Sequence, residues 1–314
     1  MLTETKHYHY LITNPNFKLE KLAEIDIGAT GLYTEKDNCL YFSIDNKMLE
    51  LNLSTYLSKI LYIAETEQEY VSFLPSGNLF SASYIRENGL DLYTNEYLEK
   101  TPNGYITKWQ FKGDICIWFE YGKDLIFING TDTSIALVSG DNGQVIWSRE
   151  LGAKLSGNTF TTYKDIIILP LSGEKLVAIN AVNGEFLWII EDSISYYQLD
   201  EASGLLYGLG GEIFEVIDIA SGKKIVQKSL AAEVNKHKLF VSSHLCNLYN
   251  NELYFSSSWS EKKFGRFNLK TYEIDFVQKL DLKNDARGIG APVCIDGRLF
   301  ILDDSQSLHI LDPE

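Results

Sequence analysis

Residues 135–147 read Ile135-Ala-Leu-Val-Ser-Gly-Asp-Asn-Gly-Gln-Val-Ile-Trp147, and residues 176–188 repeat the pattern almost in register as Leu176-Val-Ala-Ile-Asn-Ala-Val-Asn-Gly-Glu-Phe-Leu-Trp188. A third copy, Ile213-Phe-Glu-Val-Ile-Asp-Ile-Ala-Ser-Gly-Lys-Lys-Ile225, keeps the apolar run and the glycine but has Val226 where the tryptophan stood. Internal repetition with a period of about forty residues is typical of radial arrays of small β-sheets. The chain is therefore expected to be a repeat protein.

Each copy predicts two short strands joined by a tight turn. The turns fall at Asn142-Gly143, Asn183-Gly184 and Ser221-Gly222. Such pairs tolerate the positive backbone angles of a two-residue hairpin. A second pair of short apolar runs precedes the hairpins, for example Asp165-Ile-Ile-Ile-Leu169 and Gly204-Leu-Leu-Tyr-Gly208. The repeat unit thus contains four strands.

Polar residues that end an apolar run recur along the chain, and counting them gives the number of repeats. These markers are Asn52, Asp91, Ser139, Asn180, Asp218, Asn268 and Asp312, at spacings of about 38 to about 50 residues. Spacings of this size fit the blades of a propeller, and about seven blades is a normal number for a closed ring. The sequence predicts an all-β fold, a seven-bladed β-propeller of four-stranded antiparallel blades.

The ends of the chain are predicted to close this ring. The last repeat, Ser307–Asp312, stops before a fourth strand can form, which would leave an unpaired edge. Residues 16–26 precede the first full blade and alternate between apolar and polar side chains. We expect this N-terminal strand to complete the last blade, residues 290–314. No Pro-, Ser- or Gly-rich linker interrupts residues 1–314, so one domain is expected.

The charge of the chain restricts its partners. The 43 acidic and 28 basic residues give a formal net charge of −15. An acidic surface repels the phosphate backbone of nucleic acids and attracts cationic partners. The composition therefore argues against nucleic acid and favours a protein partner with a basic surface. Solubility alone also accounts for such a charge, and both interpretations stay open.

The N-terminal residues and the cysteines bear on the compartment. The start, Met1-Leu-Thr-Glu-Thr-Lys-His-Tyr8, has no apolar secretory core, and no later run is long enough to span a bilayer. A cytoplasmic protein without membrane contact is expected. Its four cysteines are predicted to be free thiols in the core, because they are scattered without paired spacing: Cys39, Cys116, Cys246 and Cys294. The histidines do not show zinc-ligand spacing, and no metal or cofactor is expected.

The run Val177–Trp188, its sibling ending at Trp147 and the strand pair Ala291–Ile301 resemble the pyrroloquinoline-quinone-type (quinoprotein-type, WD-like) propeller repeat. The resemblance implies that the glycines form the outer turn of each blade and that the tryptophans pack between neighbouring blades; these residues are Gly143, Gly184, Gly222, Trp147 and Trp188. The quinone-dependent dehydrogenases of that family have two adjacent cysteines and a Glu/Asn/Asp calcium site. The sequence contains no such cysteine pair, so the resemblance implies the fold and not the quinone chemistry.

The loops between blades, together with those between the second and third strands, are expected to gather on one face around the channel. They combine aromatic and Arg side chains with carboxylates, the residue types common among binding anchors. The predicted partner-binding residues are Glu67, Glu69, Arg86, Asp132, Asp192, Tyr196, Tyr197, Trp259, Arg287 and Asp304. Trp259 lies in a polar loop, where it either faces a partner or folds back over its own blade. Trp109 and Trp118 are expected to pack within blades.

Three functions fit these features. The favoured one is a non-catalytic, protein-binding propeller, monomeric when unbound; one version is a cytosolic immunity or inhibitor protein that neutralises a basic toxin or enzyme. The first alternative is a propeller that binds a small molecule or sugar, with lyase or hydrolase chemistry from Asp132, Asp192 or Asp304. Fold-level analogy alone supports that alternative. The second alternative is a scaffold subunit of a larger assembly, which binds through blade edges.

Overall fold

A computed structural model describes residues 33–36, 39–44, 47–52, 58–64, 69–87, 90–113, 117–129, 133–156, 160–257, 261–282, 287–295, 298–303 and 308–311. In these residues the chain forms β-strands and one short α-helix, so the prediction of an all-β fold is confirmed. The strands belong to two compact units, Met1–Lys154 and Leu155–Glu314.

The first unit contains three sheets of four antiparallel strands in its described residues. The first sheet is β1 (Tyr33–Lys36), β2 (Cys39–Ile44), β3 (Lys47–Asn52) and β4 (Ser58–Ile63). The second is β5 (Glu69–Phe73), β6 (Leu79–Glu87), β7 (Leu90–Thr101) and β8 (Gly104–Lys112). The third is β9 (Ile117–Tyr121), β10 (Asp124–Ile128), β11 (Ser134–Val138) and β12 (Val145–Glu150).

The second unit contains three further four-stranded sheets and one sheet with three described strands. The first is β13 (Thr161–Tyr163), β14 (Ile166–Leu171), β15 (Lys175–Asn180) and β16 (Phe186–Ile190). The second is β17 (Gln198–Asp200), β18 (Leu205–Gly210), β19 (Ile213–Asp218) and β20 (Lys223–Ser229). Helix α1 (Ala231–His237) leads to β21 (Val241–Tyr249), β22 (Glu252–Ser257), β23 (Lys263–Asn268) and β24 (Glu273–Lys279). The last strands are β25 (Val293–Ile295), β26 (Arg298–Leu302) and β27 (Leu308–Leu311).

Side-chain pattern explains the position of each strand in its sheet. The two middle strands β14 and β15 are continuous apolar runs whose side chains are buried almost throughout. The outer strand β20, Lys-Lys-Ile-Val-Gln-Lys-Ser, instead alternates between exposed and half-buried residues. A short apolar run fits a strand covered on both faces, whereas alternation fits one that is covered on one face. The middle strands therefore form the core of each sheet.

The Asn-Gly turns are longer than the two-residue hairpins that the sequence predicts. β15 ends at Asn180 and β16 begins at Phe186. The Gly184 N–H donates to the carbonyl oxygen of Asn180 at 2.8 Å, and the Val182 N–H donates to Asn180 Oδ1 at 2.8 Å. Gly184 has a φ of 71°, a conformation that favours glycine. The polar marker residue caps the turn with its side chain, which is why Asn, Asp or Ser recurs there.

The prediction that Asp91 marks the end of a strand is wrong. Asp91 lies inside β7, paired with Arg86, and the strand continues to Thr101. Thr101 takes the marker role, because its Oγ1 accepts a hydrogen bond from the Asn103 N–H at 3.3 Å. The hairpin formed by β6 and β7 is longer than those of the other repeats, so the first polar residue after its turn does not mark the end of the strand.

Trp188 packs against the glycine turn of the next sheet. Trp188 Nε1–H donates to the Ile219 carbonyl oxygen at 2.8 Å, and a Cβ on Gly222 would lie 2.3 Å from Trp188 Cγ. Trp109 of β8, two repeats earlier and in the first unit, does the same: its Nε1–H donates to the Gly140 carbonyl oxygen at 3.1 Å, and a Cβ on Gly143 would lie 2.8 Å from the indole. Glycine is required in these turns both for backbone angle and for space.

The predicted closing strand, residues 16–26, lies outside the described residues, and ring closure stays a prediction. Cys39, Cys246 and Cys294 are buried free thiols, as predicted, whereas Cys116 falls outside the described residues. Burial raises the pKa of Cys246 to about 12.

Asp303 is a buried carboxylate near the end of the last sheet. It is 1% exposed, and its Oδ2 lies 2.8 Å from His309 Nε2. His309 is paired across the strand with Ile301, so the register of β26 and β27 brings the ring to the carboxylate.

Candidate functional site

A cleft with a volume of about 340 Å³ lies in the second unit, and we call it the acidic cleft. Its walls come from the connection between β16 and β17, the turn between β18 and β19, the segment between α1 and β21, and the turn before β15. The lining residues are Glu174, Asp192, Ser193, Ile194, Gly210, Gly211, Glu212, Ile213, Glu215, Phe240, Val241, Ser242 and Ser243.

The cleft is negatively charged. Four of the described lining residues are carboxylic acids and none is Lys or Arg. Glu174, Asp192 and Glu212 are exposed, whereas Glu215 is buried in the wall. Carboxylates gathered in a concave surface focus a negative potential, because solvent screens them less there than on a convex surface. The cleft therefore suits a cationic group.

Two apolar side chains at the cleft are exposed to solvent. Phe240 is 58% exposed and Ile213 is 44% exposed. The backbone at Phe240 is held in place, since its N–H donates to Glu261 Oε2 at 3.0 Å. A large apolar side chain on a fixed backbone beside carboxylates is the kind of residue that anchors protein–protein contacts.

Glu215 joins three parts of the cleft wall. Its Oε2 lies 2.9 Å from Lys224 Nζ, and its Oε1 accepts hydrogen bonds from the Ile194 N–H at 3.1 Å and from the Tyr197 hydroxyl. The Glu215 side chain is 1% exposed and the Lys224 side chain 19%. A buried charge is stable when it is paired and hydrogen-bonded, as here. Glu215 is thus a structural centre of the wall: Oε1 is hydrogen-bonded, and Oε2 has the Lys224 ammonium as its counter-ion but no hydrogen bond of its own.

Tyr197 completes this network. Burial, and then the neighbouring Glu215 carboxylate, raise the pKa of the Tyr197 hydroxyl well above its ordinary value. Ser193 Oγ lies 2.6 Å from the Tyr197 hydroxyl, which gives that hydroxyl a second partner. A Cβ on Gly208 would lie 2.6 Å from the Tyr197 ring and 2.5 Å from Ile194 Cδ1. Glycine in β18 therefore lets the loop before β17 pack directly onto the sheet.

The rest of the wall is held by the main chain. Lys224 Nζ donates to the Asp192 carbonyl oxygen at 2.5 Å, and Asp192 itself has a φ of 53°. The Gly211 N–H donates to the Val241 carbonyl oxygen at 2.8 Å, and the Leu230 N–H donates to the Glu212 carbonyl oxygen at 2.7 Å. These bonds fix the walls, so the exposed carboxylates are presented without a large loss of entropy on binding.

The structure brings two of the predicted binding residues to this cleft. Asp192 lines it, and Tyr197 supports its wall through Glu215. Tyr196 lies beside it, with its ring 5.6 Å from the ring of His244, and Arg287 is exposed elsewhere in the same unit.

The other predicted binding residues do not contribute to this geometry. Glu69 begins β5 and Arg86 lies in β6, both in the first unit. Four lie outside the described residues: Glu67, Asp132, Trp259 and Asp304.

Sequence reasoning missed Glu174, Glu212, Glu215 and Phe240. One signal was present for Glu215, because it is the acid inside the apolar run Ile213-Phe-Glu-Val-Ile217, where a charge must find a partner. No signal marked Phe240, since Leu239-Phe240-Val241 looks like an ordinary buried strand.

No group of three or more His, Cys, Asp or Glu in the described residues is arranged to hold a metal ion. In the same part of the chain, no helix has the length and apolar character needed to cross a membrane.

The chain is similar to solved structures across most of its length. BamB from Moraxella catarrhalis is 11% identical, with 90% of this chain and 85% of that chain covered at a TM-score of 0.59. Saccharomyces cerevisiae Sqt1 is 13% identical, with 90% of this chain and 82% of that chain covered at a TM-score of 0.59. The computationally designed Ika8 protein is 10% identical, with the same two coverages, 90% and 82%, and a TM-score of 0.59. No protein-family model and no curated protein matches the sequence. At these identities the likeness shows the fold, a β-propeller.

Proposed function

We propose that this chain is a non-catalytic β-propeller that binds a protein partner with a basic surface through the acidic cleft. The observation that carries the proposal is the combination of exposed carboxylates with the exposed side chains of Phe240 and Ile213 around one cleft. Complementary charge speeds encounter and selects the partner, while apolar anchors slow dissociation. The acidic cleft has both the complementary charge and the apolar anchors.

The proposal includes a specific architecture. The described residues form seven antiparallel sheets, and the sequence repeats resemble the pyrroloquinoline-quinone-type unit. These observations support one seven-bladed domain over residues 1–314, in which residues 16–26 pair with the last sheet beside β27. A rigid ring would present the acidic cleft at low cost in conformational entropy.

For the class of partner we propose a cationic toxin or enzyme, which this chain would neutralise as an immunity or inhibitor protein. The net charge of −15 supports this choice, because it attracts a basic protein over the whole surface before the cleft engages. We further propose that the unbound chain is a monomer in the cytoplasm.

Catalysis by channel carboxylates has less support. Glu215, the buried carboxylate of the cleft, is 1% exposed, ion-paired with Lys224 and hydrogen-bonded through Oε1 to Tyr197 and the Ile194 N–H, so a substrate in the cleft has little access to it. Asp192 is exposed, so water rather than a closed pocket surrounds its side chain.

The test is affinity capture from the native source cell followed by mass spectrometry. Wild-type protein is compared with a Glu212→Gln/Phe240→Ser variant, which removes one exposed charge and one anchor. Wild type should capture a basic protein, and the variant should retain about tenfold less of it, since each anchor residue typically contributes more than about 1 kcal/mol.

The matched control is Glu273→Gln/Phe276→Ser, which changes an exposed Glu and a 37% exposed Phe on β24, away from the cleft. The control should capture as much partner as wild type. The proposal fails if wild type captures no protein, or if the cleft variant and the control behave alike.

A further inference from the structure

The outer edge of β16 differs from the outer edges of the other four-stranded sheets that the structure describes. β16 pairs with β15 on one side and is the last strand in the order β13-β14-β15-β16, as found in the described residues. Its sequence is Phe-Leu-Trp-Ile-Ile, with no charged side chain. An apolar strand with an unpaired row of N–H and C=O groups is a template for pairing with another chain.

The outer strands of the other four-stranded sheets carry the charged side chains that discourage such pairing. Lysine is the most effective of these, because an added strand would have to bury its charge. The residues concerned are Lys59 in β4, Lys108 in β8, Arg149 in β12, Lys228 in β20 and Lys279 in β24. Within the described sheets of four strands, β16 alone lacks one.

Three of the five β16 side chains are apolar and exposed to solvent. Phe186 is 40% exposed, Leu187 43% and Ile189 55%. Ile189 follows Trp188, the repeat tryptophan. The residues that follow the corresponding positions 109, 147 and 226 are Gln110, Ser148 and Gln227. The position is therefore polar in these three repeats and an isoleucine at Ile189. In β4 it is Ile63, which is also exposed, but Lys59 lies in the same strand.

Acidic residues flank β16 and contribute to the choice of partner. Glu185 precedes the strand, and Glu191 follows it. Lys175 Nζ lies 3.0 Å from Glu191 Oε1, but both side chains are largely exposed, at 40% and 59%, so this pair neutralises little. A second copy paired antiparallel about Trp188 would place Glu185 opposite Glu191 at both ends. Like charges directly opposite each other destabilise a strand pair.

We propose that the edge of β16 binds one extended segment of a partner protein as an added β-strand, with apolar side chains at its centre and Lys or Arg at both ends. Main-chain hydrogen bonds to β16 supply affinity, and the exposed side chains of Leu187 and Ile189 supply the apolar contact. Glu185 and Glu191 select for the basic ends. This surface is distinct from the acidic cleft, so it can hold even if the cleft proposal fails.

The experiment measures binding of fluorescein-labelled peptides by fluorescence anisotropy. The probe is Lys-Val-Thr-Val-Thr-Val-Lys, and the first comparison peptide is Glu-Val-Thr-Val-Thr-Val-Glu. The Lys-flanked peptide should bind about tenfold more tightly at low salt, because each end changes from repulsion to attraction. The preference should shrink as salt screens the charges. A third peptide, Lys-Val-Thr-Pro-Thr-Val-Lys, should not bind, since proline removes a main-chain donor and does not fit a ladder.

Two variants locate the site. Ile189→Lys should abolish binding of the Lys-flanked peptide, whereas Ile225→Lys on β20 should leave it unchanged. Ile225 is a matched control because its exposed fraction, 53%, is similar to the 55% of Ile189. Hydrogen exchange should show that the peptide slows exchange of the amides of residues 186–190 in wild type and in Ile225→Lys, but not in Ile189→Lys. The Glu212→Gln/Phe240→Ser cleft variant should bind the peptide as wild type does, which separates the two proposals.

Several results would overturn the proposal. It is wrong if no peptide binds, if the three peptides bind equally, or if exchange at residues 186–190 does not change. It is also wrong if analytical ultracentrifugation shows a dimer that Ile189→Lys dissociates, because the edge would then pair with a second copy.

Discussion

Gly222→Ala should destabilise the second unit strongly. Gly222 has a φ of 66°, and an alanine in that left-handed region costs about 1–2 kcal/mol. Its new Cβ would lie 2.3 Å from Trp188 Cγ and 2.7 Å from Trp188 Cβ, so the indole must move. Overpacking of this kind costs about 1–3 kcal/mol. The sum is a loss of about 2–5 kcal/mol in the free energy of unfolding.

The assay is urea unfolding followed by circular dichroism, with Gly173→Ala as the control. Gly173 also has a positive φ, 81°, but a Cβ there would meet nothing within 4 Å. The control therefore carries only the backbone cost, about 1–2 kcal/mol. In a Trp188→Ala background the contact with Cγ is removed and only the contact with Cβ at 2.7 Å is left, so Gly222→Ala should cost less than it does in the wild-type background. Equal losses for Gly222→Ala and Gly173→Ala in the wild-type background would refute the packing argument.

Three more outcomes are expected. Lys224→Met should cost about 3–5 kcal/mol in unfolding free energy, since it leaves the buried Glu215 carboxylate without its cation, and adding Glu215→Gln should recover part of the loss in the same urea titration. Tyr197 has a raised pKa in the folded state, so the unfolded chain loses the hydroxyl proton first and the free energy of unfolding falls as pH rises above about 10. Tyr197→Phe should make that fall shallower. An unchanged dependence of the unfolding free energy on pH would count against the Tyr197–Glu215 network. In a Cys116→Ser variant no thiol should react with Ellman's reagent at about pH 8 before unfolding, because burial keeps thiols such as Cys246 protonated and inaccessible; fast labelling of the native protein would contradict this.

Local patterns were sufficient for the repeat unit. The apolar run, the capping residue Asn180 and the turn residue Gly184 lie within a few positions of one another, and their preferences act through the adjacent backbone. The same patterns misplaced one repeat marker at Asp91, because the long arm β6–β7 does not end at the first polar residue. The patterns also gave the wrong turn length. The turn begins at the capping residue Asn180, so it contains more residues than the Asn-Gly pair alone indicates.

The binding surfaces depended on contacts between distant positions. Sequence placed Asp192 and Tyr197 in one loop but could not connect them with Glu215, Lys224 or Phe240, which come from other strands and connections. Exposure was equally hidden, because Phe240 and Ile189 have the composition of buried strand residues.

The amino-acid sequence by itself determined the kind of unit from which the chain is built, a small antiparallel sheet with a glycine turn and an aromatic on its outer strand. It could do so because strand periodicity and turn conformation are short-range properties of the backbone. Which carboxylates converge, which apolar side chains stay in water and which sheet edge lacks a protecting charge were settled only by the folded arrangement. Those properties depend on the distance between residues far apart in the chain, and packing of the sheets sets that distance.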